Sequence, residues 1–253
     1  MGKKKPFLFL VIVLLMSFGC ATTQVSKESI SIITDDHKKL AATYYPAPSP
    51  NSPGVILIPD TRCDRKKSFD RFPSKINKAG FAVLALDLRY KDLIARTRSR
   101  EEAISLIQKQ DLYALVKFDM KSAIDFLSRQ EGVNPERIAL IGTSLGTRVG
   151  LISGVTYKVK ALVLISLSGE EALPGGKPIK QLLKEYGDRP ILFMTSEKDW
   201  GGNYKAAEHN KLYFNWAKGE KELKIWPGSG HGPDILNIEG ASEFVLSWLK
   251  DNL

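Results

Sequence analysis

A serine hydroxyl is a useful nucleophile at neutral pH only when a base lies within hydrogen-bond reach and a third group holds that base in place. One serine in this chain stands in a setting made for that. Residues 137–150 read Arg-Ile-Ala-Leu-Ile-Gly-Thr-Ser-Leu-Gly-Thr-Arg-Val-Gly. Ile138 to Ile141 is an apolar run of buried-strand type, Gly142-Thr143-Ser144-Leu145-Gly146 fits G-x-S-x-G, and the chain from Leu145 can continue as a helix. Strand, sharp turn and helix with the serine at the apex describe a nucleophile elbow. The glycines answer crowding: the turn brings two backbone segments together, and a Cβ at either flank would clash. The helix N-terminus behind Ser144 offers free N–H groups and partial positive charge. A Gly/Ser-rich strand-to-helix turn without chemistry would read the same, so the decision rests on the partners.

The search for a base is short, because there are three histidines. His37 lies in a polar turn near the start, a surface position. His209 lies in a helix-like polar segment. His231 lies in Pro227-Gly228-Ser229-Gly230-His231-Gly232, a glycine-rich loop between the last strand and the last helix, which can carry an imidazole to the rim of a sheet; it is favoured over His209. The orienting acid is expected after a strand between serine and histidine. Asp199, in Thr195-Ser196-Glu197-Lys198-Asp199, is the candidate. Glu197 is its nearest rival, a helix-capping role for Asp199 is the plain alternative, and Glu170 and Glu171 are more remote ones.

Each of these residues must be delivered by an element. Ser31–Thr34 and Leu40–Tyr45, around an Asp35-Asp36-His37 turn, read as an antiparallel hairpin, followed by a proline-rich loop over 46–54. Val55–Ile58, Phe81–Leu86, Ala161–Ile165, Ile191–Met194 and Leu223–Trp226 read as further strands. Phe72–Lys78, one or two helices within Glu101–Arg129, Ala206–Lys218 and Ile235–Leu253 read as helices, the second on the spacing of Leu112, Leu115, Val116, Met120, Ala123, Ile124 and Leu127. Strands alternating with helices imply an α/β fold: a mostly parallel twisted sheet in a three-layer α/β/α sandwich, with the antiparallel hairpin at its N-terminal side. Ligands of such folds sit at the carboxyl ends of the strands, where each candidate residue lies.

The order Ser144, Asp199, His231 resembles the α/β-hydrolase fold over roughly residues 30–253. Pro190–Asp199 and Gly228–Gly232 are similar to the acid and histidine segments of its dienelactone hydrolase-like and serine peptidase-like branches. Phe81–Arg89 is similar to the second core strand, whose closing aspartate, here Asp87, is structural in that family. The resemblance implies an oxyanion hole made by backbone N–H groups of Leu145 and Thr61. It also exposes a departure: the family's loop after the first core strand begins His-Gly, and here Pro59-Asp60 stand there. Asp60 puts a negative charge near a developing oxyanion, and losing one donor of such a hole costs about 3 kcal/mol. Cys63 in the same loop reads as an ordinary thiol.

Lys3-Lys4-Lys5, the apolar run Phe7–Met16 and Ser17-Phe18-Gly19-Cys20 have the layout of a signal peptide and resemble a bacterial lipoprotein signal, with Ser17 and Phe18 departing from its usual Leu and small residue. The expectation is a signal over 1–19, a polar tether over 20–29 attached by lipid on Cys20, and one catalytic domain over 30–253, at the bacterial cell envelope; a periplasmic or secreted protein is the alternative. With Cys20 lipidated, Cys63 has no partner for a disulfide within the chain. Over 253 residues, 43% hydrophobic and 26% charged content suit a globular domain. Of the net charge of +9, three charges belong to Lys3–Lys5. The rest is scattered, and no nucleic-acid module is visible.

The expected function is a serine hydrolase acting on a small-molecule acyl substrate, carboxylic esters before amides, with no metal or cofactor implied. The residues between 166 and 188 are too few for a large lid. A peptidase or amidase of the same fold is one alternative, and a non-catalytic envelope binding protein with a degenerate oxyanion hole is another.

Overall fold

A computed structural model of the chain describes residues 26–169, 176–199 and 206–253. Eight strands form one sheet: β1 (Glu28–Ile33), β2 (Lys39–Tyr45), β3 (Ser52–Ile58), β4 (Ala82–Leu86), β5 (Val133–Thr143), β6 (Ala161–Ile165), β7 (Ile191–Ser196) and β8 (Lys221–Trp226). Their spatial order is β1-β2-β4-β3-β5-β6-β7-β8. β1, β2 and β4 pair antiparallel, and every pair from β4 to β8 is parallel. The hairpin and parallel sheet expected from sequence are both present, with β1 opening at Glu28, two residues inside the stretch read as tether. Cys20, the signal segment, Glu170 and Glu171 lie outside the described residues.

β4, β6 and the stretches Val55–Ile58 of β3 and Ile138–Ile141 of β5 are apolar at every position because both faces are covered. Along β3, Ile56 and Ile58 point into one core while Val55 and Leu57 point into the other; along β5, Ile138 and Leu140 alternate with Ala139 and Ile141 in the same way. The first core is closed by α4 (Arg100–Gln108), α5 (Lys121–Ser128), α6 (Leu145–Tyr157), α7 (Ile179–Tyr186) and α8 (Ala206–Trp216), through side chains such as Leu127, Val149, Leu182 and Tyr213. The second is closed by α1 (Arg65–Phe69), α2 (Phe72–Lys78) and α9 (Ala241–Asn252), through Phe69, Ile76, Val245 and Trp248.

The differences from the sequence reading are local. The Glu101–Arg129 stretch contains α4, a π-helical turn over Leu115–Met120, and α5 running on from it. The expected helix Ile235–Leu253 is a 3-10 turn (Gly232–Asn237) and α9, parted at Gly240, whose φ is +79°. Three short helices were not foreseen: α1, α3 (Lys91–Ile94) and α7. Helices of four or five residues, as α1 and α3 are, carry too little periodicity to be read from sequence, whereas α7, with eight, does show the helical spacing of Ile179, Leu182, Leu183 and Tyr186.

Candidate active site

The order β4-β3-β5 makes the chain leave β3 and β5 in opposite directions. α2 packs on the second core and α6 on the first, and the gap between the two strand ends is the kind of switch point where ligands of open α/β sheets bind. Ile58 is paired with Gly142 across this gap, and Thr143 with Ile165 on the other side. The residues that follow these ends are therefore brought to one level.

Ser144 stands between β5 and α6 with φ 51° and ψ −114°. A non-glycine residue held there costs about 1–3 kcal/mol. Its surroundings maintain it: the Ser144 N–H donates to the Ile165 carbonyl at 2.9 Å, and the Ser144 carbonyl accepts from the Thr147 N–H and hydroxyl at 3.0 and 2.6 Å. The flanking glycines are required by contact. A Cβ on Gly142 would lie 2.2 Å from the Gly146 carbonyl oxygen, and one on Gly146 would lie 2.3 Å from that of Ile58 and 2.7 Å from that of Pro59. The elbow is thus pressed against the loop that follows β3, the loop that contains Thr61.

His231 Nε2 lies 2.8 Å from Ser144 Oγ, and its Nδ1 lies 2.5 Å from Asp199 Oδ1. Asp199 is buried, and its other oxygen accepts from the Thr195 hydroxyl at 3.1 Å. Serine, imidazole and carboxylate form one hydrogen-bonded line, so the three residues chosen from sequence are brought together. The rivals are elsewhere: Glu197 is exposed, His37 sits in the exposed β1–β2 turn, and His209 is on α8 with its ring beside that of Tyr213. The loops of acid and base are joined, with the Glu197 N–H on the Trp226 carbonyl and the Lys198 N–H on that of Gly228, each at 2.9 Å.

The Pro59-Asp60 loop resolves differently from the expectation of a bare charge. Asp60 accepts from the Arg62 N–H at 2.9 Å and from the Arg62 guanidinium at 2.7–3.0 Å, with the Ser68 hydroxyl at 3.3 Å. Its carboxylate is folded back on a cation two residues away. Cys63 is wholly buried in the first core, and burial pushes its thiol up, away from the reactive thiolate form. Asp87 binds the Arg65 N–H at 2.9 Å, the Arg65 guanidinium at 2.5 Å and the Lys91 ammonium at 2.6 Å, so it fastens the start of α1 and the region after β4 to the sheet. That is the structural part expected of it.

A cavity of about 460 Å³ opens over Ser144 and His231. Thr61 and Arg62 line it, and its far wall is residues 94–103, from α3 into α4. The segment considered from sequence as a cover was residues 166–188, none of whose described members line the cavity. The lining carries more cations than anions: Arg62, Lys67, Lys91, Arg98 and Arg100 stand with Asp60, Asp64 and Asp234, and Arg62 pairs with Asp60 and Lys91 with Asp64 and Asp87. The density of Arg between 96 and 100 was the available signal, but sequence alone does not show which way that run faces.

A family model described as the dienelactone hydrolase family matches residues 40–234. A protein of Bradyrhizobium sp. named a probable 2-oxo-3-(5-oxofuran-2-ylidene)propanoate lactonase is 24% identical over 215 residues, covering 83% of this chain and 85% of its own length. A carboxylesterase of Arabidopsis thaliana is 30% identical over 128 residues, 49% of this chain and 52% of that protein. The structure of a dienelactone hydrolase from Anabaena variabilis superposes with a TM-score of 0.64 at 19% identity, covering 91% of this chain and 99% of that one. A cold-adapted esterase from an Arctic intertidal metagenomic library gives 0.67 at 18% identity, covering 90% and 94%.

Proposed function

The chain belongs to the dienelactone hydrolase family, and from that premise we propose that it cleaves carboxylic esters, lactones included, through an acyl-enzyme on Ser144. The observation that carries the reading is the Ser144–His231–Asp199 line, with contacts of 2.8 and 2.5 Å. Ser144 Oγ attacks the acyl carbon as its proton passes to His231 Nε2. Asp199 accepts the Nδ1–H and stabilises the imidazolium. The carbonyl oxygen, now carrying the negative charge, receives the N–H groups of Leu145 and Thr61; the first is one of the free N–H groups at the start of α6. Collapse breaks the C–O bond, and the leaving oxygen takes the proton from Nε2. Water then attacks the acyl-enzyme, gives its proton to Nε2, and Ser144 leaves with that proton as the acid is released.

The excess of cations over anions along the cavity, five Lys and Arg to three Asp, favours an acyl substrate that carries a carboxylate. The lactonase relative is named for a substrate of that charge. A fluorophosphonate probe should label the wild type and not Ser144→Ala, and labelling that persists would exclude Ser144 as nucleophile. In the same preparation, a p-nitrophenyl ester with a free carboxylate should be turned over with a lower KM than the neutral ester of equal length. Equal KM values would remove the charge argument. Equal hydrolysis by wild type and His231→Ala would favour the non-catalytic binding reading. Attachment to a membrane by lipid on Cys20 is proposed on the sequence of residues 3–20 alone.

A further inference from the structure

We propose that Ser166 and Ser196 are positioning residues that clamp the backbone on either side of His231 and thereby set the angle of its imidazole. This rests on the catalytic reading of Ser144 and His231. His231 is flanked by Gly230 and Gly232, and glycine gives a loop conformational freedom that a general base cannot tolerate. Two buried hydroxyls remove that freedom. Ser196 Oγ donates to the Gly230 carbonyl at 2.6 Å, and Ser166 Oγ accepts from the Gly232 N–H at 2.7 Å. The residue before the base and the residue after it are therefore each tied to the sheet.

The serines come from adjacent parallel strands, Ser196 as the last residue of β7 and Ser166 as the first after β6. Ser196 is 0% and Ser166 1% exposed. Ser166 has φ +63°, and its N–H donates to the Met194 carbonyl at 2.7 Å. Glycine would occupy this left-handed position without strain. A serine there accepts a backbone cost and supplies the one group glycine lacks, an oxygen aimed at the Gly232 N–H. Gly232 is also in the left-handed region, at φ +56°, and its α-carbon faces Ser144: a Cβ built there would lie 3.4 Å from the Ser144 Cβ. The clamp thus acts at the point where the histidine loop rests on the nucleophile. Neither serine lines the cavity, so their effect reaches the reaction through His231.

The test uses Ser166→Ala, Ser166→Gly and Ser196→Ala in the full chain, with thermal unfolding to establish that each is folded. Ser166→Gly is the informative variant, because it removes the hydroxymethyl group and relieves the backbone at once, whereas Ser166→Ala removes the hydroxyl alone and keeps the strained φ. The expected result is a fall in kcat for p-nitrophenyl butyrate of about 10²-fold, the scale of a small misplacement of a catalytic group, with KM little changed, in both Ser166→Gly and Ser196→Ala. The downfield proton resonance of the His231–Asp199 hydrogen bond should broaden or shift in the same variants. Wild-type kcat in folded Ser166→Gly and Ser196→Ala, or a loss in Ser166→Ala that Ser166→Gly restores in full, would overturn the clamp. Failure of the catalytic reading is separate: the wild type would then resist the fluorophosphonate probe, while the proton resonance, which needs no turnover, would still report whether the serines hold His231.

Discussion

The proposed nucleophile Ser144 lies in a space from which other atoms have been excluded by leaving side chains out. Gly146 backs onto the carbonyls of Ile58 and Pro59, neither of which can swing away as a flexible side chain would. Gly146→Ala should therefore push the elbow and the Thr61 loop apart. We expect a stability loss of about 1–3 kcal/mol, as for overpacking against rigid neighbours, and a fall in kcat of about 10²-fold from a displaced oxyanion donor. Thermal unfolding and ester hydrolysis on one preparation measure both. Asp60 and Arg62 make a second case at this scale. The ion pair lies beside the proposed oxyanion position, with side chains 12% and 43% exposed. Arg62→Ala leaves the Asp60 charge uncompensated and should lower kcat/KM by about 5-fold, the equivalent of about 1 kcal/mol. Adding Asp60→Asn should restore most of it, and additive losses in the double-mutant cycle would show that the pair does not act as a unit.

At the scale of elements, the π-helical turn Leu115–Met120 carries a buried carboxylate. Asp119 is 0% exposed and accepts from the Arg89 N–H at 2.9 Å and from its guanidinium at 2.7 Å, while Arg89 also holds Asp36 of the β1–β2 turn. Three elements meet on one arginine. Burial pushes the Asp119 carboxyl up to about 6, although Arg89 pulls the other way. Asp36, half-buried and bonded to Arg89, is held well below the usual carboxylate range and stays ionised in the same window. A carboxyl whose folded value exceeds its unfolded value binds its proton more tightly in the native state. Its contribution is present below pH 4 and is lost as pH rises through about 6, on the order of 2–3 kcal/mol. Chemical denaturation from pH 4 to 7 should show the wild type losing stability relative to Asp119→Asn. A difference between the two that does not change with pH would contradict this account.

For the whole molecule, two cores on opposite faces of one sheet hold the strand ends rigid while the chemistry sits at their rim. The domain is self-sufficient in the sense that its described residues close both cores. We propose that the signal-like segment and Cys20 decide where the protein works. Cys20→Ser should move the protein from the membrane fraction to the soluble fraction with its esterase activity per molecule unchanged. A variant that stays in the membrane fraction would remove the lipid from the proposal.

What the sequence determined was whatever depends on neighbours along the chain: the hydrophobic runs that make two-faced strands, the glycines that permit the turn at Ser144, and the order of serine, acid and histidine. Contacts between residues far apart in the chain were decided by the tertiary structure. Arg62 folds onto Asp60, residues 94–103 become the cavity wall, and Ser166 and Ser196 close on the two sides of His231. Their signal in sequence is a serine or an arginine like any other, because a hydrogen bond across 34 or 66 residues exists only once parallel strands have aligned their ends.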